Sequence, residues 1–121
     1  MKQVYNRSFT ATLVSGGSRY VFSEKIDSGM ILHVHSCFAY APERLANDHI
    51  SIGLRNGGED VVLQAQATLA QQLGASTQCG FFVGENDQVF GYFSDADDGN
   101  HISINLNGVL IPLSEWTKEP E

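Results

Sequence analysis

Positive charge runs out early in this chain. From Asn56 to Thr117 there is not one Lys or Arg, while eight acids fall in the same span: Glu59, Asp60, Glu85, Asp87, Asp95, Asp97, Asp98 and Glu115. Residues 1–55 hold six basic residues against four acids, the chain ends in Lys-Glu-Pro-Glu, and the net charge is −7. Nucleic-acid binding depends on Lys and Arg neutralising phosphates, and anionic membranes recruit the same residues. Neither nucleic acid nor a membrane is therefore an expected partner. The acidity reads either as a solubilising surface or as an oriented molecule, with a mildly basic docking end and an acidic end facing solvent.

Cysteine, proline and long apolar runs are scarce too. Cys37 and Cys79 are too few for a disulfide framework and lie in apolar stretches, as buried free thiols do. No stretch approaches the roughly 18 apolar residues that a membrane span requires. The opening MKQVYNRSFT has no apolar signal-peptide core, so export is not expected. With 121 residues, 42% of them hydrophobic, the chain has material for one globular core and no second.

What is present is a series of short strand signals at nearly even spacing. Residues 3–14 alternate apolar and polar through Val4, Phe9, Ala11 and Leu13. Tyr20-Val21-Phe22 follows the turn Ser15-Gly16-Gly17-Ser18. From Gly29 to Tyr40, strict alternation would place Met30, Leu32, Val34, Ser36, Phe38 and Tyr40 on one face, and Ile31, His33, His35 and Cys37 on the other. Ile50, Ile52 and Leu54 lead into Asn56-Gly57-Gly58, a hairpin signal. Strand is expected to continue to about residue 66, with irregular or briefly helical chain to Gly74. Further strands are expected around Phe81–Val83, Gln88–Phe93, His101–Leu106 and Val109–Ile111, with Asn107-Gly108 turning between the last two. Eight to ten short strands with at most one or two helical turns predict an all-β, antiparallel two-sheet sandwich of the jelly-roll kind. The expected layout is an N-terminal arm or edge strand over residues 1–14, the sandwich over 15–116 and an acidic tail over 117–121.

Candidate chemistry is thin. His33 and His35, two apart on a strand, present paired imidazoles as β-barrel metalloenzymes do. The fragment GMILHVHSCFAYAPE is similar to the first cupin motif, but both of its spacings depart from that motif and the second motif is absent. Asp95, Asp97 and Asp98 cluster before Gly99 like part of a calcium loop, yet the bidentate Glu such a loop needs is missing. No G-x-S-x-G, Walker or dinucleotide glycine pattern occurs, so no enzyme, metal or other cofactor is expected. Phe81, Phe82, Phe90, Tyr92 and Phe93 could line a sugar platform. Their alternation instead favours the core for Phe90 and for Phe81 or Phe82, with Tyr92 beside Phe90. Trp116 is the aromatic most expected at a partner contact.

In layout, from SGMILHVH through NDHISIGLRNGGED to GENDQVFGYFSDADDGNHISINLNGVLI, the chain resembles small jelly-roll decoration or cement proteins of tailed bacteriophage capsids. The resemblance implies a non-catalytic virion protein that forms dimers or trimers and docks on a lattice such as a major capsid protein. Docking is then expected through the N-terminal strand (Gln3, Tyr5, Arg7, Phe9) and Trp116, by strand addition. Two other readings stay open: a carbohydrate-binding β-sandwich module, with or without calcium, and a cupin-like metal-binding protein.

Overall fold

The structure, a computed structural model, describes residues 2–14, 19–41, 49–67, 74–77, 80–93, 99 and 101–117. Within these, the side chains of 49, 64–67, 74, 75, 116 and 117 are outside the description. Nine strands and one short helix follow one another: β1 (Gln3–Thr12), β2 (Tyr20–Phe22), β3 (Met30–Tyr40), β4 (His49–Asn56), β5 (Glu59–Ala67), β6 (Gly74–Ser76), β7 (Phe81–Val83), β8 (Gln88–Phe93), β9 (His101–Pro112) and α1 (Leu113–Thr117).

The strands form two antiparallel sheets. The first runs β1-β9-β3-β6, with β7 also on β3; the second runs β2-β8-β4-β5. β6 pairs with Phe38–Tyr40 and β7 with Leu32–Val34, so together they act as one interrupted strand along β3. Counted that way there are eight strands in two four-stranded sheets, and the chain crosses repeatedly from one sheet to the other. This is the jelly-roll strand order, which leaves sheet edges where a barrel would have none.

The core fills the space between the sheets. Leu32, Val34, Cys37 and Ala39 of β3 and Ile102, Ile104 and Leu106 of β9 meet Ile50 and Ile52 of β4 and Val89 and Phe93 of β8, all buried. Each such aliphatic or aromatic side chain contributes about 1.5–3 kcal/mol through burial. Gly91 is buried opposite Ile104, where an added Cβ would stand 2.7 Å from the Ile104 Cγ2 atom. That glycine lets the two sheets close. Tyr5 and Leu13 belong to the same core, and β1 is paired with β9 from Gln3 to Thr12. The N-terminal strand is therefore an edge of the sandwich and part of its packing.

The β4–β5 register shifts between Ile52 and Gly53, leaving Leu63 as the extra residue of β5, and in the first sheet two further features depart from simple alternation and face each other. The β3–β9 register shifts between Val34 and Ser36, so His35 is the extra residue of a β-bulge. Beyond it the faces exchange: Cys37 and Ala39 are buried while Ser36 and Phe38 are exposed. The expected grouping of Ser36, Phe38 and Tyr40 with Leu32 is thus replaced by one that sends Cys37 inward. Opposite the bulge lies Gly108. Asn107-Gly108 makes no turn, because β9 runs on through it to Pro112. A Cβ at 108 would lie 2.1 Å from the His33 carbonyl oxygen. The glycine accommodates a close backbone approach, the other common reason for glycine in a strand. Gly57 and Gly58, by contrast, have φ of +59° and +93° and make the expected two-residue hairpin between β4 and β5, as a primed turn requires.

Candidate functional site

Side chains of β1 divide cleanly between the two sides of their sheet. Tyr5, Arg7 and Phe9 lie in register with Gly108, Leu106 and Ile104, on the inward side. Tyr5 is buried, and its hydroxyl donates to Glu24 Oε2 at 2.9 Å. Arg7 donates to the same oxygen at 2.8 Å, with its guanidinium 5.1 Å from the Tyr5 ring centre. Burial, the hydrogen bond to Glu24 and the charge of that carboxylate push the Tyr5 phenol well above its ordinary value. Phe9 packs on the core, while Gln3 lines a small groove with Lys25, Asp27 and Leu110. Of the four β1 residues expected to meet a partner, Tyr5 and Phe9 pack on their own sandwich, while Gln3 and Arg7 are exposed. Trp116 is on α1, and its side chain is outside the described residues.

The alternate residues of β1 face outward, and register assembles them into a surface. Val4 stands beside Val109, which stands beside His33. Asn6 leads to Asn107 and Ser36, Ser8 to Asn105 and Phe38, Thr10 to Ser103 and Tyr40, and Thr12 to His101. Phe82 of β7 extends the row at His33, and Ser76 of β6 the row at Phe38. None of these side chains is Asp, Glu, Lys or Arg. Small polar groups hold the centre: Ser8 hydrogen-bonds the Asn105 side chain, Thr12 Oγ1 lies 2.9 Å from His101 Nδ1, and Ser103 donates to the Tyr40 carbonyl at 3.2 Å. Aromatic pairs flank them. Phe38 stacks on Tyr40 at 5.6 Å, and His33 stacks on Phe82 at 4.3 Å with His35 edge-on at 4.6 Å. Val4 is 80% exposed, Phe38 41% and Phe82 42%. A shallow groove of about 400 Å³ crosses the middle, between Asn6, Arg7, Ser8, Ser36, Phe38, Asn105, Leu106 and Asn107.

On the outer side of the second sheet an aromatic cluster closes over itself. Tyr20 stacks on Phe22 at 5.3 Å, meets Phe90 edge-on at 5.4 Å and leans on Tyr92 at 4.7 Å. Phe90 lies across Gly53, where a Cβ would come within 2.8 Å of its ring. Phe90 and Tyr92 share a face, as the alternation suggested. That face is the outer one, and Phe90 is buried there by its neighbours while Val89 and Phe93 fill the core. The Arg55 guanidinium covers Phe22 at 4.4 Å and Tyr20 at 5.0 Å, and binds both oxygens of Asp60 at 2.7 and 3.0 Å. The Tyr20 hydroxyl adds a third bond to Asp60 at 3.0 Å. Hydrogen bonds from Arg55 and then Tyr20 hold the Asp60 carboxyl below its usual range, against a smaller opposing effect of burial. Its charges satisfied internally, the cluster offers a ligand little.

Charges that are separated in sequence come together in space. Lys25 and Arg55 share one end of the sandwich with Glu85 and Asp87, and Arg7 pairs with Glu24. At that end, basic residues of the N-terminal half meet acidic residues of the C-terminal half. His33 and His35 are neighbours on the outer face, and no group of three or more His, Cys, Asp or Glu that could hold a metal occurs among the described residues. Asp95, Asp97, Asp98 and Cys79 lie outside the described residues. Cys37 is fully buried, and burial pushes its thiol up to about 12. No helix among the described residues is long and apolar enough to cross a membrane.

No protein-family model matches the chain, and no curated protein matches it in sequence. Among the solved structures similar to the chain are two from viruses. One is the virus-like particle of extra small virus from the giant freshwater prawn Macrobrachium rosenbergii, 11% identical over 90% of this chain and 79% of that one, with a TM-score of 0.45. The other is infectious bursal disease virus, Gt strain, also 11% identical over 90% of this chain, with a TM-score of 0.32; this chain spans 32% of its length. Identity this low leaves the functional reading to the geometry. The sequence pattern groups Val4 with Phe9, Ala11 and Leu13, so the outward row of Val4, Asn6, Ser8 and Thr10, like the matching rows of β9 and β3, needed the register.

Proposed function

We propose that the chain is a non-catalytic structural subunit, docking through the outer face of its first sheet onto a protein lattice that includes further copies of itself. The observation that carries this is that, among the described residues, the outward rows of β1, β9 and β3 present no charged side chain, on a chain of net charge −7. Like-charged subunits repel, and the repulsion is felt most within about 8 Å at physiological salt. A face without carboxylates is where two such molecules can approach at least cost. Charge depletion with aromatic enrichment is also the compositional mark of an interface core. Four strands at about 4.8 Å spacing and up to about 12 residues long give roughly 600–700 Å² per partner, near the standard size for a specific interface.

Jelly rolls occur in capsid proteins, lectins and cupins, and the first fits this face best. The finer reading is a virion protein, a capsid decoration or cement subunit as the sequence layout implies, with the open backbone edge of β1 available for strand addition. Replacing Ser8 and Asn105 by Asp puts four carboxylates into a self-contact. Sedimentation velocity over a concentration series should show wild-type chain associating and the Ser8→Asp/Asn105→Asp chain remaining at 13.2 kDa. Equal association of the two would remove the face from the proposal.

The groove beside Phe38 favours a second reading, a carbohydrate site, because amides and hydroxyls next to an exposed ring can bond a sugar's hydroxyls and cover its apolar side. A glycan array answers it directly. Binding abolished by Phe38→Ala would support the lectin reading, and an empty array would end it.

A further inference from the structure

Histidine is the residue of the first-sheet outer face whose ordinary titration falls between pH 5 and 8. His33 and His35 stand side by side there, ring centres 4.6 Å apart, while His101 lies at the opposite end beside Thr12. His33 is half-buried; His35, the extra residue of the bulge, is exposed and stands opposite no residue of β9. Phe82 of β7 stacks on His33, Val109 of β9 flanks it with Val4 of β1 beyond, and Gly80 lies close to its Nε2 atom. None of these neighbours titrates. Arg7 reaches the central groove but is paired with Glu24, and the described rows hold no carboxylate. Resting on the docking proposed above, we infer that the His33–His35 pair is an acid release for self-association through this face: the neutral imidazoles permit the contact and their protonation undoes it.

The sign follows from what the face lacks. An imidazolium loses water on docking, and neither its own rows nor the same rows of a second copy supply a carboxylate to replace it. Two charged rings this close also repel each other. The associated state therefore holds the neutral rings, the free subunit takes up protons, and acid draws the equilibrium toward free subunit. Imidazole titrates at about 6.5, so at pH 5.5 a free ring is charged in about ten molecules of eleven. Each ring that must be neutral in the contact then weakens association about 10-fold between pH 7.5 and pH 5.5. The charge of the whole chain acts the other way. It is −7 at neutral pH and vanishes near pH 4.9, so acid relieves the general repulsion between copies. Without the histidine pair, association should tighten on acidification; weakening is the mark of the pair.

Sedimentation velocity of the full chain over a concentration series at pH 7.5 and pH 5.5 tests it, with circular dichroism to show that the fold is kept at both. Wild-type chain should associate at least about 10-fold more weakly at pH 5.5. His33→Gln/His35→Gln, which cannot gain the charges, should associate equally at the two pH values or more tightly in acid. Should the double variant fail to fold, His35→Gln alone, at an exposed position, decides: its loss on acidification should be smaller than that of wild type, and an equal loss would overturn the inference. Wild-type association that is unchanged or tighter at pH 5.5 would overturn it, as would weakening that persists in the double variant. Association at pH 7.5 that Ser8→Asp/Asn105→Asp abolishes, yet that is indifferent to pH, would remove the acid release and leave the docking face standing. Wild-type chain that stays at 13.2 kDa at pH 7.5 would remove both.

Discussion

The thiol of Cys37 reports on the β-bulge at His35. Without the bulge, strict alternation would turn Cys37 to the outer face with His33; with it, the side chain is fully buried. Burial raises the thiol from an ordinary value of 9.0 to about 12. The unfolded chain then loses this proton first as pH rises. The group's contribution is complete below about pH 9 and declines between about 9 and 12, by about 1.4 kcal/mol per pH unit. At pH 11 that amounts to roughly 3 kcal/mol, a large part of a small domain's stability. Tyr5 and Tyr20 are also raised, chiefly by burial, and act in the same direction at higher pH, so a variant is needed to isolate the cysteine. Urea unfolding of the Cys79→Ser chain and of the same chain carrying Cys37→Ala, from pH 7 to pH 11, provides it. The variant is expected to be less stable at neutral pH because of its cavity, with the two curves parallel to about pH 9 and converging above. At neutral pH the Cys37 thiol should resist alkylation until the chain is unfolded. Curves that stay parallel to pH 11, or alkylation as fast as in urea, would place Cys37 outside and refute the bulge.

Other substitutions probe the remaining packing. Gly53→Ala would bring a Cβ to 2.2 Å from the Val61 carbonyl oxygen and 2.8 Å from the Phe90 ring; a loss of about 1–3 kcal/mol is expected in denaturant unfolding, and an unchanged midpoint would mean that β5 does not lie where described. Phe90→Ala should cost about 3–5 kcal/mol despite the ring's place on an outer face, because only 2% of the residue is exposed; a loss below about 1 kcal/mol would show the cluster to be loose. Deleting residues 1–12 removes Tyr5 and a ten-residue strand and uncovers β9, so a cooperative melt by circular dichroism is not expected. A truncated chain that still melts cooperatively would make β1 the detachable arm its sequence suggested.

The fold was legible to a large extent because its signals are local. Period-two apolar patterning located the strands, and Gly57-Gly58 marked a hairpin that needs positive φ at both positions. The two misread places share one cause. Asn107-Gly108 is a turn dipeptide by composition, and His35 looks like any alternating residue, yet the bulge and the glycine fit each other across β3 and β9. A reciprocal fit between strands some seventy residues apart leaves no trace in either strand alone. The same reason hid the candidate surface. In a half-buried strand the large apolar residues are those the core takes, as Tyr5 and Phe9 are here. The proposed docking face is marked instead by what the intervening positions lack, and only the pairing of β1, β9 and β3 joins three uncharged rows into one surface.

Hydroxyl-radical footprinting of the chain, dilute against concentrated, tests the central claim most directly. Phe38 and Phe82, each about two-fifths exposed in the monomer, should lose most of their oxidation on concentration, while Tyr20 and Tyr92 on the opposite face keep theirs. Unchanged oxidation of Phe38 and Phe82 in associated chain, or protection centred on Tyr20 and Tyr92, would contradict docking through the uncharged sheet.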